Sequence, residues 1–187
     1  MTQGSKQEFA FQERRPLLFL LTNHHIDMLK LYIGEGEKMV YNEAWIDGDS
    51  IVEHIGKIGT KGRTRYHERD PELSDEQNIK RILEPAVRGG YKQIDLEDHA
   101  MLLVEYAVDG FGTPDDIEKR YRLQDRLDET LGWTGLGHCD GGSIGSGTME
   151  AACFVVDFAI AKAVVENDLR GTEFENFTRI YNERDEY

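Results

Sequence analysis

The sequence predicts an α+β chain built as two small modules, an antiparallel sheet crossed by one helix and then a βαββαβ unit. Three observations carry that expectation. An Asp47-Gly48 turn sits between two stretches of alternating polarity, the strongest short-range hairpin signal. Ser74, with Gln77 three residues on, opens an amphipathic segment ending at Gly89-Gly90. Beyond residue 96 the rhythm changes to strands alternating with capped helices, and the charge changes with it.

The elements follow in order. Residues 1–27 form an extension in which Pro16 and the run Leu17 to Leu21 read as a strand or short helix, with His24-His25 in the turn beyond. Residues 28–95 form the first module. Met39 to Ile46 alternates, Asp47-Gly48 turns, and Ser50 to Ile58 resumes the alternation. Gly59 to Gly62 (GTKG) is a second turn, leading to a strand over 63–67. In the helix from Ser74, Ile79, Ile82, Leu83 and Ala86 share one face, and Pro85 is expected to kink or end it.

Residues 96–187 form the second module. Ala100 to Val108 is a buried strand, and Thr113-Pro114 starts a helix whose apolar stripe is read as Ile117, Tyr121, Leu127 and Leu131. Residues 136–144 and 148–156 form a hairpin, Asp157 caps a second helix, and Glu173 to Tyr181 is a last strand. That order is the ferredoxin-like split arrangement. Centring the hairpin on Ser146 sets Cys139 opposite Cys153, two reduced thiols side by side.

Composition narrows the function. The chain of 187 residues has a net charge of −14. Residues 1–27 are neutral, residues 28–95 carry −2, and residues 96–187 hold 8 basic against 20 acidic side chains. The longest apolar run is far shorter than the roughly 20 residues a membrane helix needs, so a cytoplasmic protein without membrane contact is expected. Two cysteines without CxxC spacing and six histidines without HExxH give no metal site.

No catalytic constellation assembles either. Residues 135–147 lack GxGxxG in any register, and the GxxxxG from Gly142 to Gly147 is followed by Thr148 rather than lysine, so no nucleotide cofactor is expected. His138, Cys139 and Asp140 are adjacent, but strand neighbours point to opposite faces, so Cys139 reads as a packed thiol. Carboxylate pairs such as Asp115-Asp116 and Asp128-Glu129 read as helix ends and solvated surface. The one acid-free basic stretch, Lys57, Lys61, Arg63 and Arg65, is the candidate binding site.

The residues from Tyr41 to His67, YNEAWIDGDSIVEHIGKIGTKGRTRYH, with the helix after them and Gly90-Tyr91, resemble the WGR domain family over about a third of the chain. The Gly56, Gly59, Gly62 rhythm carries much of the likeness. The resemblance implies the sheet-and-helix fold and, through poly(ADP-ribose) polymerases, a DNA-binding role. Here Ile55-Gly56-Lys57 replaces the signature Trp-Gly-Arg, removing the stacking indole and the planar multi-donor guanidinium. Bacterial proteins carry similar modules without a polymerase domain. Residues 96–187 more distantly resemble small acidic bacterial domains, some of which accompany toxin systems as immunity proteins.

The expected function is therefore non-enzymatic binding. A basic protein partner docking on the acidic second module is the first expectation, in the manner of an antitoxin or immunity-type inhibitor. The alternative is a nucleic-acid-linked regulator using the basic stretch, with weak or no duplex binding.

Overall fold

The computed structural model describes residues 28–186; the readings of Pro16 to Leu21 and of His24-His25 lie outside them. The chain is α+β, with two antiparallel four-stranded sheets and three α-helices among the described residues.

The first sheet contains β1 (Met28–Ile33), β2 (Val40–Asp47), β3 (Ser50–Lys57) and β4 (Arg63–Glu68) in that spatial order. Asp47 pairs with Ser50 around the two-residue turn, with Gly48 at φ +58°. Such a turn matches the twist of the strands it joins. One face of this sheet packs against α1 (Asp75–Arg88), burying Leu31, Ala44 and Ile51 against Ile79, Leu83 and Ala86. Ser74 and Gln77 form the reciprocal capping box. Replacing Ser74 with alanine is expected to lower stability by about 1 kcal/mol, read as the denaturation midpoint.

Pro85 does not end α1, which runs on to Arg88. Proline removes only the amide bond to residue 81, and a Schellman closure secures the last turn beyond it. Gly90 N–H donates to the Val87 carbonyl (3.0 Å) and Tyr91 N–H to the Ala86 carbonyl (3.1 Å).

The second sheet has the order β6-β7-β5-β8, from β5 (Ala100–Ala107), β6 (Gly137–Gly145), β7 (Thr148–Val155) and β8 (Arg179–Asn182). The helices α2 (Pro114–Trp133) and α3 (Phe158–Leu169) complete a β-α-β-β-α-β sequence. Thr113 and Asp157 are the N-caps.

Two expectations need correction here. The last strand is only residues 179–182, because Phe174 instead turns into the core and its carbonyl accepts from the Tyr106 hydroxyl (2.8 Å). The apolar stripe of α2 is Leu123, Leu127 and Leu131, all fully buried, whereas Ile117 and Tyr121 are 37% and 44% exposed. At roughly 100° per residue the three leucines span about 80° centred on Leu127, while Ile117 and Tyr121 lie about 80° and 120° from that centre, at the edge of the stripe and beyond it.

The hairpin register also differs from the expected one. From Gly145↔Thr148 to Gly141↔Ala152 the strands are centred between Ser146 and Gly147, which would set Cys139 against Phe154. A bulge between Cys139 and Gly141 shifts the ladder by one, and Cys139 then pairs with Cys153. The cysteines face each other because of the bulge.

The larger apolar cluster crosses between the halves, joining Tyr32, Met39, Tyr41 and Ile58 to side chains of the second sheet and of α2 and α3. A backbone bond from Gly59 N–H to the Thr134 carbonyl (2.8 Å) fixes the turn after β3 to the end of α2. Among the described residues no helix is long and apolar enough to cross a membrane.

Candidate functional site

The four cations singled out in the sequence converge. Lys57 ends β3, Lys61 lies in the following turn, and Arg63 and Arg65 alternate along β4, so the last two project to one face of the sheet. All four line one open groove of about 640 Å³, with Tyr91 at its wall and no carboxylate among its lining side chains. Among the described residues, Arg65 is the one of the four that pairs with an acid, Glu53, at 3.9 Å.

The glycine rhythm beneath the groove is a packing requirement. A Cβ on Gly56 would lie 2.7 Å from Gly62 Cα, and one on Gly62, at φ +59°, would lie 2.4 Å from the Tyr41 hydroxyl and 2.7 Å from the Ile55 carbonyl. These glycines let the turn carrying Lys61 fold down onto Tyr41 and His54.

That contact exposes a cluster the sequence reading passed over. His54 is fully buried, and its ring bonds on both sides. Nδ1–H donates to Glu43 Oε1 (2.8 Å) and Nε2–H to the Lys61 carbonyl (2.8 Å); both bonds together use both ring N–H groups. Glu43 also pairs with Lys30 (2.8 Å). The Tyr41 hydroxyl lies 3.1 Å from Nε2, and its single proton is shared between the carbonyls of Thr60 (3.3 Å) and Trp133 (3.4 Å). Burial first, and then the Glu43 charge, holds the Tyr41 phenol far above its usual range. Trp133 meets His54 edge-on at 5.1 Å. This network holds the basic turn to the sheet and to α2.

A second cleft, about 1070 Å³, lies where the halves meet. Lys57 and Lys61 reach its rim, where Glu129, Asp157 and Asp168 also stand. The basic groove therefore adjoins carboxylates of the acidic half.

The outer face of α2 is the other distinctive surface. Ile117 and Tyr121, one turn apart, stand in the open with Asp115, Glu118, Asp125 and Glu129 exposed on the same helix. Phe111, in the loop leading into the helix, is 82% exposed between Gly110 and Gly112, both at positive φ. Arg120 lies over the Tyr121 ring (5.1 Å to its centroid) and donates to the Gly142 carbonyl (3.1 Å), while the other three cations of α2 engage residues outside the helix. Arg122 binds Glu173 (2.7 Å), Arg126 binds Asp168 (2.7 Å), and Lys119 reaches Asn176 (2.8 Å). Asp115 and Glu118 also act on Arg122 through their charge, and all four acids are exposed.

The glycine-rich segment is strand β6, and a Cβ on Gly142 would lie 2.0 Å from the Glu150 carbonyl. His138 is exposed on the sheet surface, its ring 5.7 Å from that of Phe154, and the partial loss of water around the ring lowers its proton affinity. In comparison with known proteins, no family model, no curated protein and no solved structure matches this chain.

Proposed function

We propose that the chain is a non-enzymatic binding protein that docks a basic protein partner on the outer face of α2. The single observation that carries this reading is the placement of Ile117 and Tyr121 in solvent beside Glu118 and Asp125. Apolar and aromatic side chains anchor interfaces by losing water, while surrounding charge selects the partner and speeds encounter. A cationic partner with an apolar anchor complements both. The concentration of negative charge in residues 96–187 extends the attraction beyond the contact.

The fold reading belongs with this proposal. The β-α-β-β-α-β order with strands β6-β7-β5-β8 supports a ferredoxin-like second module. The hairpin, glycine rhythm and crossing helix support a WGR-like first module. Inhibition of a basic toxin-like protein is the form of binding we favour.

The test is capture from extracts of the native host, with the wild-type chain and an Ile117→Ser, Tyr121→Ser, Glu118→Lys variant side by side. We expect a basic protein, identified by mass spectrometry, to be retained by the wild type, released by salt and lost with the variant. An acidic partner, or equal retention by both chains, would refute the proposal.

The convergence of Lys57, Lys61, Arg63 and Arg65 on one groove favours a second reading, contact with a polyanion. Four neutralised phosphates give a log–log salt slope of only about −3.6. The adjoining cleft is lined by carboxylates as well as by Lys57 and Lys61, and their charge opposes a phosphate there. We expect at most micromolar duplex binding at low salt, abolished by Lys61→Glu with Arg63→Glu and absent at physiological salt. Nanomolar binding to nicked duplex at physiological salt would reverse the order of the two readings.

A further inference from the structure

We propose that Cys139 and Cys153 form a reversible dithiol–disulfide site, oxidised by a hydroperoxide. The inference is independent of what docks on α2.

Three features of the β6–β7 hairpin support it. The bulge at Asp140 sets the two residues opposite each other. The Cys139 amide is turned away from its partner strand and donates to Asp128 Oδ1 (3.1 Å), which places the pair in the class whose amides do not bond each other. Such pairs have the closer approach, about 4.5 Å between Cα atoms, within the range a disulfide spans. Both sulfurs also lie on the core side of the sheet. Cys153 belongs to the buried cluster, and Cys139 packs against it. The Cys139 thiol points inward too, donating to the Ala152 carbonyl (3.3 Å).

The two thiols are not equivalent. Cys139 is partly exposed and Cys153 is fully buried. The neighbouring Cys139 thiol, and then burial, push the Cys153 thiol well above its ordinary range, so Cys153 keeps its proton. Cys139 is therefore the thiol that meets an oxidant first.

In the first step the Cys139 sulfur attacks the distal oxygen of the hydroperoxide. The O–O bond breaks, Cys139 becomes a sulfenic acid, and one water leaves when the oxidant is hydrogen peroxide. In the second step the Cys153 sulfur attacks the Cys139 sulfur. The S–O bond breaks, the S–S bond forms, and the thiol proton leaves with the hydroxyl as a second water. The two thiols lose two electrons and two protons, and the peroxide gains them.

The test treats the folded chain with hydrogen peroxide, then unfolds it in a thiol-alkylating reagent for intact mass. We expect a monomer lighter by two hydrogens with no alkylated cysteine, restored to two alkylated cysteines by dithiothreitol. The Cys153→Ala variant should accumulate a dimedone-reactive sulfenic acid at Cys139, and Cys139→Ala should leave Cys153 unmodified. Serine variants replace the alanine ones if a thermal melt shows either unfolded. Two free thiols after treatment, oxygen added to Cys139 without a cross-link, or a disulfide only between chains would each overturn the proposal.

Discussion

Replacing His54 with leucine is expected to lower stability by about 3–5 kcal/mol, because two enclosed acceptors, Glu43 Oε1 and the Lys61 carbonyl, each lose a donor at about 1–3 kcal/mol. Leucine is of similar size, so the loss is electrostatic rather than steric. Glu43 is almost fully enclosed and would keep only Lys30. The Lys61 carbonyl would lose its donor, and the turn over Gly59 to Gly62 would lose one of its ties to the sheet. For a chain of this length the melting temperature should fall by roughly 6–20 °C. A thermal melt reads this directly. A fall of only a degree or two would mean that the network merely fills space. His67, which bonds Glu53 at 2.8 Å from a half-exposed position, provides the comparison. His67→Leu should cost about 1 kcal/mol or less, because water replaces the lost partner.

The second large effect is expected at the docking face. Tyr121→Ala should weaken the captured partner about 30-fold or more, as loss of an aromatic anchor does. Glu118→Lys with Asp125→Lys should slow association by about tenfold at low salt, with the difference shrinking as salt rises. Neither change should move the melting temperature appreciably, since all three side chains are exposed. Surface plasmon resonance across a salt series separates the two effects. Tyr121 acts on dissociation and the acids act on association. A variant that changes neither rate places the partner elsewhere.

Much of the fold was legible because short signals with a fixed geometry dictated it. Asp47-Gly48, the Ser74–Gln77 box and Thr113-Pro114 each lie where the sequence put them. The acidic α2 face was not legible because Ile117 and Tyr121 keep the four-residue spacing of a helix face yet lie at and beyond the edge of the stripe formed by Leu123, Leu127 and Leu131. Ile117 and Tyr121 were assigned to the core, and their exposure is what makes them candidates for binding.

The His54 network was within reach. Once the turn at Gly48 is fixed, Glu43 must face His54 directly, and the observed register pairs them. The arrival of Trp133 was not within reach, since it depends on how the two halves pack, and the Lys61 carbonyl reaches the ring only because the turn folds down over Gly56 and Gly62. The basic groove lay between these cases. Its four cations were visible as a run, but their convergence required the turn to fold over Gly56 and Gly62. The bulge at Asp140 left no signal beyond a glycine-rich segment, so the pairing of the cysteines was expected from the wrong centre.

The measurement that bears most directly on the proposed function is zero-length carbodiimide cross-linking of the complex with its captured partner. This reagent joins a carboxylate to an amine only where the two are in contact. Docking on α2 predicts that Glu118, Asp125 and Glu129 become linked to lysines of the partner, and that salt suppresses the links. Links running instead from Lys57 and Lys61 to carboxylates of the partner would contradict it and move the site to the basic groove.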